Sequence, residues 1–288
     1  MSPKFKSLLT RTLSGLVFVV LMVGSFFVPA YYQFILFTLL AVLAVYEYMT
    51  IVETSGVKPH KVMGILITVL LIQGAYFINT TEISWVMAYV FMNLVMAIEP
   101  FRKEGHAFNN IVHTLLPVFW IAIPFSLAGV ANALLDHEEA VLALFILLWT
   151  SDTFAYCGGS LFGKHKMFER ISPKKTWEGF VIGGIFTCGM AASLSFIPYF
   201  HDTLLFSSNT ATNVLVWVGL GLIAFLAGTT GDLIESMFKR TYGVKDSGNI
   251  MPGHGGVLDR FDSFLFAMPF CFIYLLVLSF LLVLSVVW

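Results

Sequence analysis

Charged residues are scarce in this chain of 288 residues, where Asp, Glu, Lys and Arg together make up only 11% of the sequence. Hydrophobic residues account for 58% and aromatic residues for 16%, and the mean hydropathy is +0.86. Because soluble globular domains carry about 25% charged residues, this composition excludes an ordinary soluble domain. It predicts an integral membrane protein.

Paired cysteines and nucleotide-binding glycine motifs are also missing. The three cysteines, Cys157, Cys188 and Cys271, lie in apolar runs without a CxxC pair, which excludes a disulfide framework or a zinc site. The chain has no G-x-G-x-x-G motif, no low-complexity tract and no obvious internal repeat. The absence of a repeat argues against an inverted-repeat transporter.

Long apolar runs are abundant, and a helix needs about 20 such residues to cross the hydrocarbon layer. They predict an all-α integral membrane protein, a polytopic bundle of about nine transmembrane helices. We expect an N-terminal five-helix region at residues 1–135 and a C-terminal four-helix region at 136–288, although a single structural unit is also compatible with the pattern. The predicted spans are 13–28, 32–52, 62–78, 83–98, 111–135, 140–162, 180–200, 214–238 and 261–287.

Lysine and arginine are absent from every second connection between these spans, including residues 136–139 and 201–202. If the N-terminus is cytoplasmic, every basic residue falls on the cytoplasmic side, which is the positive-inside pattern. The sequence therefore predicts a multi-pass protein of the inner (cytoplasmic) membrane, with its N-terminus and its polar loops on the cytoplasmic side.

Acidic residues occur inside two of the predicted spans, where an ionisable side chain is costly and usually functional. Asp152 comes shortly after a run of ten apolar residues that ends at Trp149. The spacing of Asp232, Glu235, Ser236 and Lys239 places them on one face of the eighth helix. Two structural alternatives remain open. Asp152 can be a hydrogen-bonding residue, and the second group can be a helix end whose charges pair with each other.

The polar segment KDSGNIMPGHGGVLDRFDS at 245–263 joins the last two spans. Its carboxylates are hard oxygen ligands, its cations suit phosphate oxygens, and its glycines allow close approach of the backbone. This combination predicts a polyphosphate held with Mg²⁺, although a polar loop without chemistry has the same composition. The residues concerned are Asp246, Asp259, Asp262, Lys245, His254, Arg260, Gly253, Gly255 and Gly256.

A basic segment, SPKKTWEG at 172–179, follows the sixth span. It is either an ordinary positive-inside loop or a contact for an anionic headgroup, with Lys174 and Lys175 as donors. The small-residue pairs Gly159/Gly163 and Gly179/Gly183 predict helix packing and not a nucleotide loop.

The segment SMFKRTYGVKDSGNIMPGHGGVLDRFD at 236–262 resembles the signature of the phosphatidate cytidylyltransferases, also called CDP-diacylglycerol synthases. The similarity extends to GDLIES, SPKKTWEG and the WTSDTFAY region, and so covers most of residues 140–263. Phe154 and Ser151 depart from the small residue and the alanine that are common in the family.

The resemblance implies that CTP and phosphatidic acid give CDP-diacylglycerol and pyrophosphate, with Mg²⁺ as the cofactor. It makes Asp232 and Asp259 the expected metal ligands, with Asp246 and Asp262 as further ligands or orienting groups. Lys239, Arg240, Lys245 and Arg260 are expected to neutralise phosphate charge, and His254 to hydrogen-bond a phosphate. Lys174, Lys175 and Trp177 are candidates for the lipid phosphate or the nucleotide, and Asp152, Ser236, Gly255 and Gly256 complete the expected substrate site.

Two other functions remain open at this point. An ion-coupled transporter also keeps intramembrane aspartates, and a CTP-dependent kinase of a polyprenol or phytol also places carboxylates at a membrane site. The expected partners are CTP, phosphatidic acid and the lipid bilayer, with no nucleic acid and a possible homodimer.

Overall fold

The computed structural model describes residues 3–78, 82–135, 138–201, 209–251, 253 and 255–287. Helices dominate these residues, and a short antiparallel hairpin is the one sheet among them. The helices are α1 (Pro3–Gly24), α2 (Ala30–Glu53), α3 (Lys61–Tyr76), α4 (Glu82–Ile98), α5 (Ala107–Pro117), α6 (Ile123–Leu135), α7 (Glu138–Phe162), α8 (Trp177–Leu194), α9 (Pro198–His201), α10 (Thr210–Thr241) and α11 (Leu258–Val287). The strands are β1 (Lys166–Phe168) and β2 (Ser172–Thr176).

Seven helices in the described part of the chain are long and apolar enough to cross a membrane. Two shorter apolar helices, Thr12–Phe27 and Lys61–Tyr76, fall at the first and third predicted spans. Many large apolar side chains, such as Val20, Val86 and Leu215, are exposed on the surface, as side chains that face lipid are. An all-α, multi-pass membrane protein is therefore confirmed, and the count of nine spans stays a prediction.

Residues 1–135 and 238–261 form one compact unit. Within it α3 packs against α2, α4 and α6, around a core that includes Ile67, Leu71, Ala88 and Val95. Helix α5 continues into α6 through a π-helical turn at Val118–Ala122, directly after Pro117. The wider turn occurs where a proline has disturbed the helical hydrogen bonds.

Residues 136–237 and 262–288 form the second unit, in which α7 and α8 pack closely together. A Cβ atom at Gly179 would lie 2.6 Å from the carbonyl oxygen of Ala155, and one at Gly183 would lie 3.0 Å from the Ala155 Cβ. Glycine at these positions lets the two backbones approach, as small residues do between membrane helices. The helix-packing interpretation of Gly179 and Gly183 is confirmed.

Helix α10 ends in a glycine-terminated cap, which leads into the segment at 242–260 that we call the signature loop and that runs into the first turn of α11. Gly243 has φ of +68°, its N–H donates to Arg240 O, and the Val244 N–H donates to Lys239 O. These two bonds define a Schellman motif, which satisfies carbonyls that the helix itself leaves unpaired. Lys239 and Arg240 lie in this last turn, where the helix dipole favours positive charge.

Candidate active site

Asp259, at the start of α11, is the centre of the first polar cluster. Its Oδ2 accepts hydrogen bonds from the Ser247 and Gly256 N–H groups, both at 2.8 Å. Its Oδ1 lies 2.6 Å from Nζ of Lys239, and only 6% of the aspartate side chain is exposed. The carboxylate is therefore surrounded by donors of the protein itself, and these bonds join the end of α10, the loop and the first turn of α11.

The loop between α10 and α11 is folded back on itself. Gly253 and Gly255 have positive φ values of 76° and 84°, a region that disfavours side chains with a Cβ, and Met251 pairs with Gly255 across the turn. Gly255 and Gly256 therefore serve the fold of this loop, and their predicted role in substrate binding stays a prediction. His254 lies outside the described residues.

Most of the other charged residues of the signature are exposed to solvent. Lys245, Asp246 and Arg260 are exposed, and so is Arg240, whose guanidinium donates to Val244 O at 3.2 Å. The carboxylate of Asp259 is paired with Lys239 and not with these exposed cations. The cations are therefore accessible to a ligand.

Glu47 contributes to this site, although the sequence analysis did not select it. This buried residue of α2 accepts hydrogen bonds from Ser247 Oγ, Val257 N and Leu258 N at 2.9–3.0 Å. An ionisable residue within a predicted span is a recognised sign of function, and the same rule that selected Asp152 could have selected Glu47. We refer to Glu47, Lys239, Ser247, Gly256 and Asp259 as the loop cluster.

An aromatic group supports the same region. Tyr48 stacks on Phe238 with ring centroids 4.6 Å apart, and its hydroxyl lies 2.9 Å from Nδ1 of His113. The hydroxyl of Tyr242 lies 3.4 Å from Nε2 of the same histidine, and burial raises the pKa of that phenol. Tyr242 therefore stays protonated at neutral pH.

The second polar cluster surrounds a cavity of about 480 Å³ in the second unit. This volume lies within the range of roughly 300–1,000 Å³ that is typical of small-molecule sites. The predicted residues that line it are Asp152, Lys174, Lys175 and Asp232. We refer to this space as the acidic cavity.

Asp232 is partly exposed, with 28% of its side chain accessible. One carboxylate oxygen lies 2.6 Å from Nζ of Lys175, and the other accepts a bond of 3.3 Å from Ser236 Oγ, as their spacing on α10 predicts. Asp262 interacts electrostatically with Asp232, Glu235 and Asp152. Asp262 therefore interacts with three other acids of this unit, of which Asp152 and Asp232 line the cavity, and Lys175 pairs with Asp232.

The β1–β2 hairpin and the start of α8 position the lysines of the cavity. Thr176 caps α8 by accepting from Gly179 N at 3.2 Å. Glu178 accepts from the N–H groups of Lys164 and His165, which ties the entry of the hairpin to the helix. Trp177 is about half exposed beside them. The basic segment is thus a folded hairpin and not an irregular loop.

No group of three or more His, Cys, Asp or Glu side chains within the described residues is placed to hold a metal ion by itself. Asp152, Asp232 and Asp262 come together in the second unit, whereas Asp246 and Asp259 belong to the first. Mg²⁺ commonly uses one or two carboxylates and completes its shell with water and phosphate oxygens. The oxygen donors at the acidic cavity fit that requirement.

The chain is similar to known proteins along most of its length. The model of the cytidylyltransferase family matches residues 9–278. A phosphatidate cytidylyltransferase of Staphylococcus aureus (strain COL) is 38% identical over 209 residues, covering 72% of this chain and 74% of that protein. Similar proteins with the same name occur in Staphylococcus haemolyticus, at 35% identity over 80% of this chain and 85% of that protein, and in Rickettsia typhi, at 40% over 57% and 70%.

Proposed function

The chain belongs to the cytidylyltransferase family, and from this premise we infer that it transfers the cytidylyl group of CTP to phosphatidic acid. The products are CDP-diacylglycerol and pyrophosphate. The observation that carries the inference is the signature at 236–262, which lies within the matched residues and carries exposed cations around an ordered turn. The transporter interpretation has no support from these relatives.

The reaction requires no covalent intermediate with a side chain of the protein. The phosphate of phosphatidic acid is an anion at neutral pH, so its oxygen can attack the α-phosphorus of CTP directly as the bond to pyrophosphate breaks. Catalysis then depends on positioning the two substrates and on neutralising their charges. Lysines, arginines and oxygen donors meet this need, and a Ser-His-Asp triad is unnecessary.

The exposed cations of the loop suit the triphosphate. Lys245, Arg260 and Arg240 would neutralise charge on CTP and on the departing pyrophosphate, as cations do in phosphoryl transfer. Lys239 would act through Asp259, to which it is paired. His254 stays a predicted hydrogen-bond donor to phosphate.

The acidic cavity suits a cation together with an anionic substrate. Lys174, Lys175 and Trp177 would contact the lipid phosphate or the nucleotide. Asp152 lines the cavity, and Ser236 would support the site through its hydrogen bond to Asp232. Lys175 already neutralises one carboxylate there, and a phosphate group that attracted this lysine would release Asp232 for a cation.

Mg²⁺ is part of the proposal. Asp232 would be its principal ligand, with Asp262 of the same unit as an additional ligand or orienting group. Asp259 and Asp246 belong to the other unit, and their role as ligands stays a prediction. When bound, the ion would neutralise phosphate charge and act as a Lewis acid. Among these four residues Asp232 has the strongest structural support, because it lines a cavity together with Asp152 and 28% of its side chain is accessible.

The function can be tested with the purified protein in detergent or in vesicles. We expect pyrophosphate release and lipid product that depend on CTP, phosphatidic acid and Mg²⁺ together. GTP and dATP serve as nucleotide controls. Equal turnover with GTP, or product formation that does not change when Mg²⁺ is removed by a chelator, would contradict the corresponding part of the proposal.

We also propose how many times the chain crosses the membrane and which side each end of the helices faces. The alternating distribution of Lys and Arg supports nine spans in the inner membrane. It also supports a cytoplasmic N-terminus and a cytoplasmic active site. Cysteines introduced near Lys103, Lys166 or Gly248, but not at Gly248 itself, where a Cβ would meet Glu47, should react with an impermeant reagent only from the cytoplasmic side. One near Glu138 should react only from outside. Labelling of the Glu138 position from inside would reverse the orientation.

A homodimer is the remaining proposal on assembly, and no nucleic acid is expected as a partner. Light scattering combined with size-exclusion chromatography in detergent can measure the protein mass. A monomer mass at all accessible concentrations would remove the dimer without affecting the proposed reaction.

A further inference from the structure

Glu47 is a buried carboxylate in a mainly apolar helix that is long enough to cross a membrane. Only 4% of the residue is exposed, and it lies in the last two turns of α2, which ends at Glu53. Burying a charged group is costly unless hydrogen bonds compensate the loss of water. The contacts of Glu47 therefore show which segment of the protein this buried carboxylate stabilises.

All three recorded contacts of its carboxylate go to the signature loop. Oε1 accepts from Val257 N at 3.0 Å, while Oε2 accepts from Leu258 N at 2.9 Å and from Ser247 Oγ at 3.0 Å. Two of these donors are peptide groups at the start of α11, which the helix leaves without internal partners. Val257 precedes the first residue of α11, and its side chain has no oxygen with which to cap the helix.

Glu47 thus supplies from another helix the acceptor that a capping side chain would ordinarily provide. A negative charge at this end of α11 is also favoured by the helix dipole. The same end of a helix often binds phosphate through its peptide N–H groups. Here Glu47 and Asp259 already occupy the N–H groups of Gly256, Val257 and Leu258.

Two glycines of the signature fit around this carboxylate. A Cβ atom at Gly248 would lie 2.8 Å from Cδ of Glu47, and one at Gly256 would lie 2.6 Å from its Oε1. Both distances are shorter than carbon and oxygen atoms tolerate without a shift. Glycine at these positions therefore allows the loop to close around Glu47.

The neighbouring residue reaches the other end of the signature. Tyr48 stacks on Phe238 at 4.6 Å with an interplanar angle of 9°, and Phe238 directly precedes Lys239. Lys239 in turn pairs with Asp259. Consecutive residues of α2 therefore contact the end of α10 and the start of α11.

We propose that Glu47 is a positioning residue for cytidylyl transfer, which sets the conformation of the signature loop so that Lys245 and Arg260 meet the triphosphate. The proposal rests on the proposed function for its catalytic consequence. Because the peptide donors of α11 are used internally, phosphate recognition at this loop falls to the exposed side chains. Glu47 itself does not touch the substrate.

The main variant is Glu47→Gln, which keeps the size of the side chain. Three donors converge on two carboxylate oxygens, whereas an amide offers one oxygen and an NH₂ group that is itself a donor. At least one loop donor then faces another donor. We expect kcat per folded protein to fall at least tenfold, which corresponds to about 1.4 kcal/mol.

Glu99→Gln is the matched control. Glu99 is a buried carboxylate of the same unit, 1% exposed, and it binds Asn110 and His60 away from the signature loop. A purely structural effect would lower the thermal stability of both variants and leave kcat per folded molecule unchanged in both. We expect the loss of kcat only in Glu47→Gln.

A double-variant cycle adds a second kinetic criterion. If Glu47 acts by placing Arg260, then Glu47→Gln will reduce kcat less in an Arg260→Ala background than in the wild-type background. Equal fold reductions in both backgrounds would contradict the action through Arg260.

Hydrogen–deuterium exchange tests the positioning without relying on any activity. In Glu47→Gln, peptides covering residues 245–260 should exchange faster than in the wild type, while Glu99→Gln should leave them unchanged. Wild-type exchange in this segment together with wild-type kcat would overturn the proposal. If the wild-type protein makes no CDP-diacylglycerol, the proposed function fails, and the exchange result still decides whether Glu47 orders the loop.

Ser247→Ala provides a second route if Glu47→Gln does not fold. It removes one of the three donors to Glu47 and leaves the carboxylate with its two peptide partners. We expect the same direction of change in loop exchange and kcat, with a smaller size. Unchanged exchange and unchanged kcat in Ser247→Ala would overturn the proposal in that case.

Discussion

Asp259 in the loop cluster and Asp232 in the acidic cavity differ in their surroundings, although each lies 2.6 Å from a lysine. Asp259 is 6% exposed and accepts two additional peptide hydrogen bonds, whereas Asp232 is 28% exposed and lines a cavity. A carboxylate surrounded by the donors of its own protein maintains a conformation. A carboxylate at an open cavity can exchange its lysine for a ligand.

This comparison leads to different expectations for two variants of the same kind. Asp232→Asn should lower cytidylyl transfer by at least about 100-fold, or about 2.7 kcal/mol, with little change in thermal stability. Asp259→Asn should lower both activity and stability, because an amide cannot accept from all three donors, and a buried donor left unpaired costs about 1–3 kcal/mol. Initial rates and thermal unfolding in detergent measure the two effects. Equal loss of stability in both variants would remove the distinction.

The glycine that contacts Glu47 offers a way to disturb the loop cluster alone. Gly256→Ala should destabilise the loop by about 1–3 kcal/mol, because the added methyl group has no space beside Glu47 and Ser247. Gly189→Ala is the control, since a Cβ there meets no atom within 4 Å. Exchange rates across residues 245–260 report the change. Similar rates in both variants would contradict the close fit.

The exposed cations of the loop should affect catalysis without affecting stability. Lys245→Ala and Arg260→Ala should each lower turnover about tenfold, or about 1.4 kcal/mol, because each removes a donor to phosphate oxygens. Both side chains are exposed, so the thermal unfolding temperature should remain that of the wild type. Near-normal turnover in both variants would place the triphosphate elsewhere.

The smallest expected effect concerns the lysine of the acidic cavity. Lys175→Gln removes the ammonium group that pairs with Asp232, so a cation should meet less competition there. We expect the Mg²⁺ concentration for half-maximal activity to fall several-fold, on the order of 1 kcal/mol. Lys164→Gln, in the same basic region but with no recorded ion pair to Asp232, is the control. An unchanged or higher Mg²⁺ requirement in Lys175→Gln would contradict competition for this carboxylate.

Much of this protein could be predicted from local sequence. Apolar runs predicted helices at every position where the long helices occur, because membrane helices satisfy their own backbone hydrogen bonds. The spacing of Asp232 and Ser236 predicted their contact on α10, which the hydrogen bond confirms. The β1–β2 hairpin was not predicted, since SPKKT has neither the alternation nor the β-branched residues of a typical strand.

Glu47 was missed for a different reason. It lies 200 residues before Ser247 in the chain, and no local pattern connects YEYM in α2 to the signature loop. The glycines were interpreted as space for a ligand, because composition reveals an opening in the backbone but not the group that enters it. At Gly248 and Gly256 that group includes a carboxylate of the same protein.

The sequence by itself determined the membrane class, the approximate position of the helices and the family, because these depend on composition, periodicity and a long motif of mixed residue types. Only the tertiary structure decided which carboxylates are saturated and which line a cavity. Hydrogen-bond acceptors act over about 3 Å, so the function of an aspartate depends on donors that folding brings from distant segments. Asp259 and Asp232 have the same chemistry in the sequence, and their different neighbours give them different tasks.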